Sequence, residues 1–109
     1  MIREIKAIIR PERLPQVLLA LHTVPGLPGV TVSTVRGFGR RYPPGAEMAW
    51  DEVEMTKLEI VVPTAQAEDV VRLIERGAHT GGVGDGKIFV IPVAGALKIR
   101  SGERDGGAL

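Results

Sequence analysis

The chain has 109 residues, with 14 Lys and Arg set against 13 Asp and Glu, a formal net charge of +1. That length suits one domain, and so small a charge gives no reason to invoke nucleic acid or a membrane surface as a partner. The absence of cysteine excludes disulfides and thiolate metal sites, while 44% hydrophobic and 25% charged residues is the balance of a soluble globular protein.

The opening "IREIKAIIRP" alternates, with Ile5, Ala7 and Ile9 on one face and Glu4 and Lys6 on the other, and reads as a strand ended by Pro11. Its charges argue against a signal peptide, and no apolar run approaches the roughly 18 residues that span a bilayer, so the cytoplasm is the expected compartment. "PERLPQVLLALHTV" places Leu14, Val17, Leu18 and Leu21 on one helical face, with Pro15 early enough to be tolerated. "PGLPG" is a turn. "VTVSTVRGFG" is β-branched and predicts a second strand, "RRYPPGAEMAW" a loop, and "DEVEMTKLEIVVP" a third strand. In "TAQAEDVVRLIERGAHT", Thr64 is placed as N-cap. Ala67, Val70, Val71, Leu73, Ile74 and Ala78 form its core face. "KIFVIPV" predicts a fourth strand and "ALKIR" a short fifth, followed by a polar tail (101–109) with no packing signal.

The order β-α-β-β-α-β predicts an α+β, ferredoxin-like sandwich over residues 1–109: an antiparallel sheet with two helices on one face. The other face also carries apolar residues, so a symmetric homo-oligomer is expected.

Between the second helix and the fourth strand lies "HTGGVGDGKIFV" (79–90). Gly81 and Gly86-Lys87 have the spacing of a Walker A loop. Ile88 stands where that loop needs Ser or Thr, and a strand follows instead of a helix, so a P-loop NTPase is rejected. A Rossmann fingerprint fails because its glycines join a strand to a helix. Two readings stay open on pattern alone: a permissive turn, whose glycines supply positive φ, or a nest of exposed N–H groups that binds an anion beside a lysine.

"GFGR" (37–40), "TGGVGDGKIFV" (80–90) and "IRSGE" (99–103), with the opening "IKAIIRP", together resemble the P-II nitrogen-regulatory signal proteins over nearly the whole chain. The resemblance implies a homotrimer that binds ATP or ADP in clefts between subunits. Such proteins often read 2-oxoglutarate as well, and regulate a target such as an ammonium transporter or a metabolic enzyme through a mobile loop, here about 39–52. It implies that Gly84, Asp85, Gly86 and Lys87 wrap the phosphates and that Thr31, Gly37, Phe38 and Gly39 line the cleft. Ile8 and Val61 would form apolar walls, with Thr80 near the purine or ribose. From the neighbouring subunit, Lys98 and Arg100 match a pair of phosphate-contacting arginines. At Lys98 a bidentate contact becomes a point charge.

The chain departs from the family in the mobile loop. Only "RYPP" separates "GFGR" from "GAE", a shorter span than the family's, and Pro43-Pro44 stiffens it. Met48 replaces the tyrosine that receives a uridylyl group, Ala46 a serine that is phosphorylated in some relatives, and Tyr42 does not fit the modification pattern. Arg41 stands where the family has a glutamine that holds magnesium and the keto acid, and Met55 where it has a lysine. Magnesium is therefore doubtful and a weak response to 2-oxoglutarate is expected.

Rival readings are a small phosphate-ester hydrolase, a metal-tolerance trimer and a structural module. The first would use the nest, Lys87 and Arg100 with Asp85 as base, but no nucleophile–base pair is evident. The second would use His22, His79, Glu47 and Asp51, which have no recognisable metal spacing.

Overall fold

The structure, a computed structural model, describes residues 1–41 and 49–109, with side chains described outside 40–51. The elements are β1 (Ile2–Ile9), α1 (Leu14–Leu21), β2 (Thr31–Arg41), β3 (Ala49–Pro63), α2 (Thr64–Ala78) and β4 (Gly86–Val93). Short 3-10 turns occupy Pro11–Arg13 and Asp105–Ala108. All strand pairs are antiparallel, in the order β2-β3-β1-β4, which is the expected ferredoxin-like arrangement.

Strand alternation decides which face meets the helices. Ile5, Ala7 and Ile9 of β1 are buried and pair with Ile60, Leu58 and Thr56 of β3. Val17 and Leu21 of α1 and Ala67, Val70, Ile74 and Ala78 of α2 join them in one core. Each large aliphatic side chain buried there contributes about 1.5–3 kcal/mol. The two helices pack closely because Gly77 has no side chain: a Cβ there would lie 3.0 Å from Val17 Cγ2 and 3.1 Å from Val17 Cα.

Two expected core residues sit elsewhere. Leu18 is 39% exposed, because an eight-residue helix turns only a narrow stripe, Val17 and Leu21, to the sheet. Leu73 is half-buried and stands outside the core cluster that Val70 and Ile74 enter. The cap of α2 also differs. Thr64 is its first residue, Pro63 holds the N-cap position without a side-chain bond, and the Thr64 amide donates to the Met1 carbonyl at 3.1 Å. A donor left orphaned at the helix start is satisfied by the chain beginning β1.

The stretch expected as a loop over 40–50 is partly strand. β2 runs through Arg41 and β3 starts at Ala49, with these two residues paired. Backbone hydrogen bonds alone can carry such a ribbon, so an apolar pattern is not required. Since β1 stops opposite Thr56, β2 and β3 continue as a two-stranded extension past the end of the central sheet. Tyr42, Pro43, Pro44, Gly45, Ala46, Glu47 and Met48 lie outside the described residues.

The C-terminal segment is not a strand followed by a free tail. Leu97 and Arg104 form an isolated antiparallel bridge. The Lys98 amide donates to Glu103 O at 2.9 Å, Gly102 N to Lys98 O at 2.8 Å and Asp105 N to Ala96 O at 2.8 Å. Asp105 Oδ1 accepts from Ala96 N at 3.1 Å. The polar residues of 101–105 thus close a hairpin through their own backbone, a packing that carries no hydrophobic signature.

Neither α1 nor α2 covers the second sheet face. The register places Lys87, Ile8, Lys57 and Ser33 in one row across it, and Phe89, Lys6, Glu59 and Thr31 in the next, with Ile91, Glu4 and Val61 beyond. Apolar and charged residues alternate there, and Lys57 pairs with Glu59 at 3.4 Å. No helix among the described residues is long and apolar enough to cross a membrane.

Candidate functional site

The glycine loop joins the end of α2 to the start of β4. α2 closes with the His79 amide bonded to Glu75 O at 2.9 Å, and the chain enters β4 at Gly86, opposite Ile9. Gly86 has φ +101°, and a Cβ there would fall 1.7 Å from the Ile8 carbonyl oxygen. Both the dihedral and the close approach require glycine. The backbone of β1 is therefore the floor on which the loop rests.

Asp85 organises the loop from within. Its Oδ2 accepts from the amides of Thr80 at 2.8 Å and Gly81 at 2.9 Å. Its Oδ1 accepts from the Thr80 hydroxyl and from Arg10 Nε at 2.9 Å. The Thr80 hydroxyl in turn accepts from the Gly82 amide at 3.1 Å, and Arg10 Nη2 donates to the Val83 carbonyl at 2.8 Å. The Thr80 hydroxyl first, then Arg10 and the backbone amides, hold the Asp85 carboxyl well below the usual carboxylate range. A carboxylate so stabilised is a poor proton acceptor, which counts against its use as a general base.

With Asp85 and Thr80 turned inward, the amides of Val83, Gly84 and Asp85 have no hydrogen-bond acceptor among the described residues. Consecutive unpaired N–H groups in a glycine turn form an anion receptor. Lys87 follows at once. It is exposed and makes no ion pair among the described residues. A cleft of ≈470 Å³ lies beside the loop on the helix side, bordered by Val71, Ile88, Glu68 and Glu75. Its two glutamates do not suit a polyphosphate. Asp85, Gly86, Lys87 and Ile8 also border that cleft, and the register places Lys87 and Ile8 in one row of the open sheet face.

The remaining sequence-singled residues are distributed over the molecule. Ile8, Lys87, Thr31 and Val61 all fall on the open sheet face, in adjacent rows. Thr31 and Val61 border a hollow closed by Ala108 and Leu109. Gly37, Phe38 and Gly39 stand on the β2–β3 extension, paired with Val53, Glu52 and Asp51. Phe38 is half exposed, with the Arg36 guanidinium 5.6 Å from its ring centroid. Lys98 and Arg100 lie in the C-terminal hairpin and make no ion pair with the glycine loop of the same chain. One chain thus gathers the loop, Ile8 and Lys87, sets Thr31 and Val61 farther along the same face, and leaves Gly37–Gly39, Lys98 and Arg100 elsewhere. Sequence reading missed Arg10. It stands inside the quoted "IKAIIRP", but only the β1–β4 register brings it over the loop.

A family model described as Nitrogen regulatory protein P-II matches residues 2–103. The chain belongs to the P-II family. Nitrogen regulatory protein P-II of Azospirillum brasilense is 42% identical, over 98% of this chain and 99% of the relative. P-II 1 of Escherichia coli K12 is 45% identical over the same shares. Among solved structures, Arabidopsis thaliana PII bound to citrate superposes with a TM-score of 0.83 at 44% identity, covering 99% of this chain and 92% of that one. The B. subtilis GlnK-ATP complex superposes with a TM-score of 0.89 at 30% identity, covering 99% and 95%.

In this P-II chain no three His, Asp or Glu side chains converge as a metal site among the described residues. Asp85, the one carboxylate of the glycine loop, has both oxygens occupied. The loop itself therefore offers magnesium no free carboxylate.

Proposed function

We propose that this P-II chain binds ATP or ADP, with the phosphates seated on the amides of residues 83–85 and Lys87. The clefts lie between the subunits of a homotrimer, and the protein signals the bound nucleotide to a target transporter or enzyme. The observation that carries this reading is the loop held open by Asp85: its carboxylate fills the amides of Thr80 and Gly81, the Thr80 hydroxyl fills that of Gly82, and those of residues 83–85, with a cation beside them, are left for an external anion. The separation of Gly37–Gly39, Lys98 and Arg100 from the loop within one chain supports a site completed by a neighbour, and the sheet face away from α1 and α2 supplies a surface for trimer contact. Regulation rather than catalysis is supported by the family and by the poor basicity of Asp85. Arg41 at the glutamine position, and the near-complete burial of Met55 on β3, support a weak response to 2-oxoglutarate.

Calorimetry with ATP and ADP tests the reading. Micromolar binding corresponds to about 8 kcal/mol, and Lys87→Ala is expected to remove roughly 1.5–3 kcal/mol without changing thermal stability. A wild-type protein that binds neither nucleotide would refute it. Added magnesium and 2-oxoglutarate are expected to produce little further heat; tight, magnesium-dependent keto-acid binding would overturn that part alone.

A further inference from the structure

A loop that receives polyphosphate should not carry an ionised carboxylate, yet Asp85 sits in the middle of this one. The contradiction is resolved by a residue 75 positions away in sequence. Arg10 leaves the end of β1, bonds Asp85 Oδ1 through Nε at 2.9 Å and reaches the Val83 carbonyl through Nη2 at 2.8 Å. Its guanidinium lies across the loop: a Cβ at Gly82 would come within 2.9 Å of Nη2, and one at Gly84 within 3.6 Å. Both charged side chains are mostly shielded, 28% and 22% exposed. Two bonds from one rigid planar fork fix the loop's shape more firmly than a rotating ammonium would.

We propose that Arg10 is the positioning residue of the nucleotide loop. It cancels the charge of Asp85, so that the carboxylate acts as an internal anion for the Thr80 and Gly81 amides, and it holds Val83 so that the next amides and Lys87 face an external polyphosphate. This rests on the nucleotide-binding reading above. Without Arg10 the carboxylate stands uncompensated beside the phosphates, and the penalty grows with the charge of the ligand. The lack of a side chain at Gly82 is part of the same device, because it leaves room for the guanidinium.

The test is calorimetry with ATP, ADP and uncharged adenosine on wild type, Arg10→Gln, Arg10→Lys and Arg10→Gln/Asp85→Asn. Arg10→Gln is expected to lose about tenfold or more in ATP affinity, less for ADP, and nothing for adenosine. Removing the carboxylate as well is expected to restore part of the ATP affinity, which a merely structural role would not do. Arg10→Lys keeps the charge but loses the fixed fork geometry, so an intermediate loss is expected; it serves as the decisive variant where Arg10→Gln does not fold. Equal ATP affinity in wild type and both Arg10 variants overturns the inference, as does a loss shared equally by ATP and adenosine. A wild-type protein that binds no nucleotide is a different failure, seen before any variant is made, and takes the underlying reading with it.

Discussion

Two glycine-rich segments of this chain are closed by an aspartate, and they are built in opposite ways. In the loop after α2, Asp85 is tied to Arg10, 75 residues distant, and the loop rests on the Ile8 carbonyl. In the C-terminal hairpin, Asp105 bonds the Ala96 amide only 9 residues away, and Gly102, though at φ +76°, has open space around its Cα. The first is fixed by tertiary structure and the second by its own turn. Glycine content therefore says little about rigidity. What matters is how far away the group that closes the turn comes from.

The largest expected effect breaks the loop and spares the hairpin. Gly86→Ala forces both a forbidden dihedral and a backbone collision, and is expected to cost about 3 kcal/mol or more, or to prevent folding. Gly102→Ala meets only the dihedral penalty and should cost about 1–2 kcal/mol. Urea unfolding of the two variants measures the contrast; equal losses would remove it.

A smaller effect is expected in acid. Because the folded-state pKa of Asp85 lies below its unfolded value, its contribution to loop order is complete above about pH 4, the ordinary aspartate range. It is lost as pH falls toward the depressed folded value. The Thr80 and Gly81 amide resonances should report this transition, and Arg10→Gln should move it upward. A transition at the ordinary aspartate pKa in wild type would show that the clamp is not formed.

The smallest effect is predicted for the hairpin's own aspartate. Asp105→Ala removes an exposed, local hydrogen bond and should cost about 0.5–1 kcal/mol, with no change in nucleotide affinity through the glycine loop. Thermal unfolding and calorimetry on this variant complete the comparison.

Local patterns in the sequence were enough to place the main elements. The alternation of Ile5, Ala7 and Ile9 and the helical spacing of Val70, Ile74 and Ala78 depend on neighbours a few positions apart, and both faces are where those patterns put them. What was not legible depends on distant partners. Met1 satisfies the first amide of α2, so a cap read from Thr64 alone was misplaced. Arg10 cannot be assigned to Asp85 without the pairing of β1 with β4. The motif identified the glycine loop, but not that Thr80 and Asp85 spend their polar atoms on the loop itself. The C-terminal hairpin closes through backbone bonds, which leave no pattern of side chains to read.

The seat of Gly86 on Ile8 has a consequence for how such a chain can drift. A side chain at position 86 can be accepted only if β1 moves, and β1 is paired along its length with β3 on one side and β4 on the other. No single substitution supplies that movement. A side chain at position 86 and an unmoved β1 are therefore incompatible, whereas a side chain at position 102 has room and meets only the dihedral penalty.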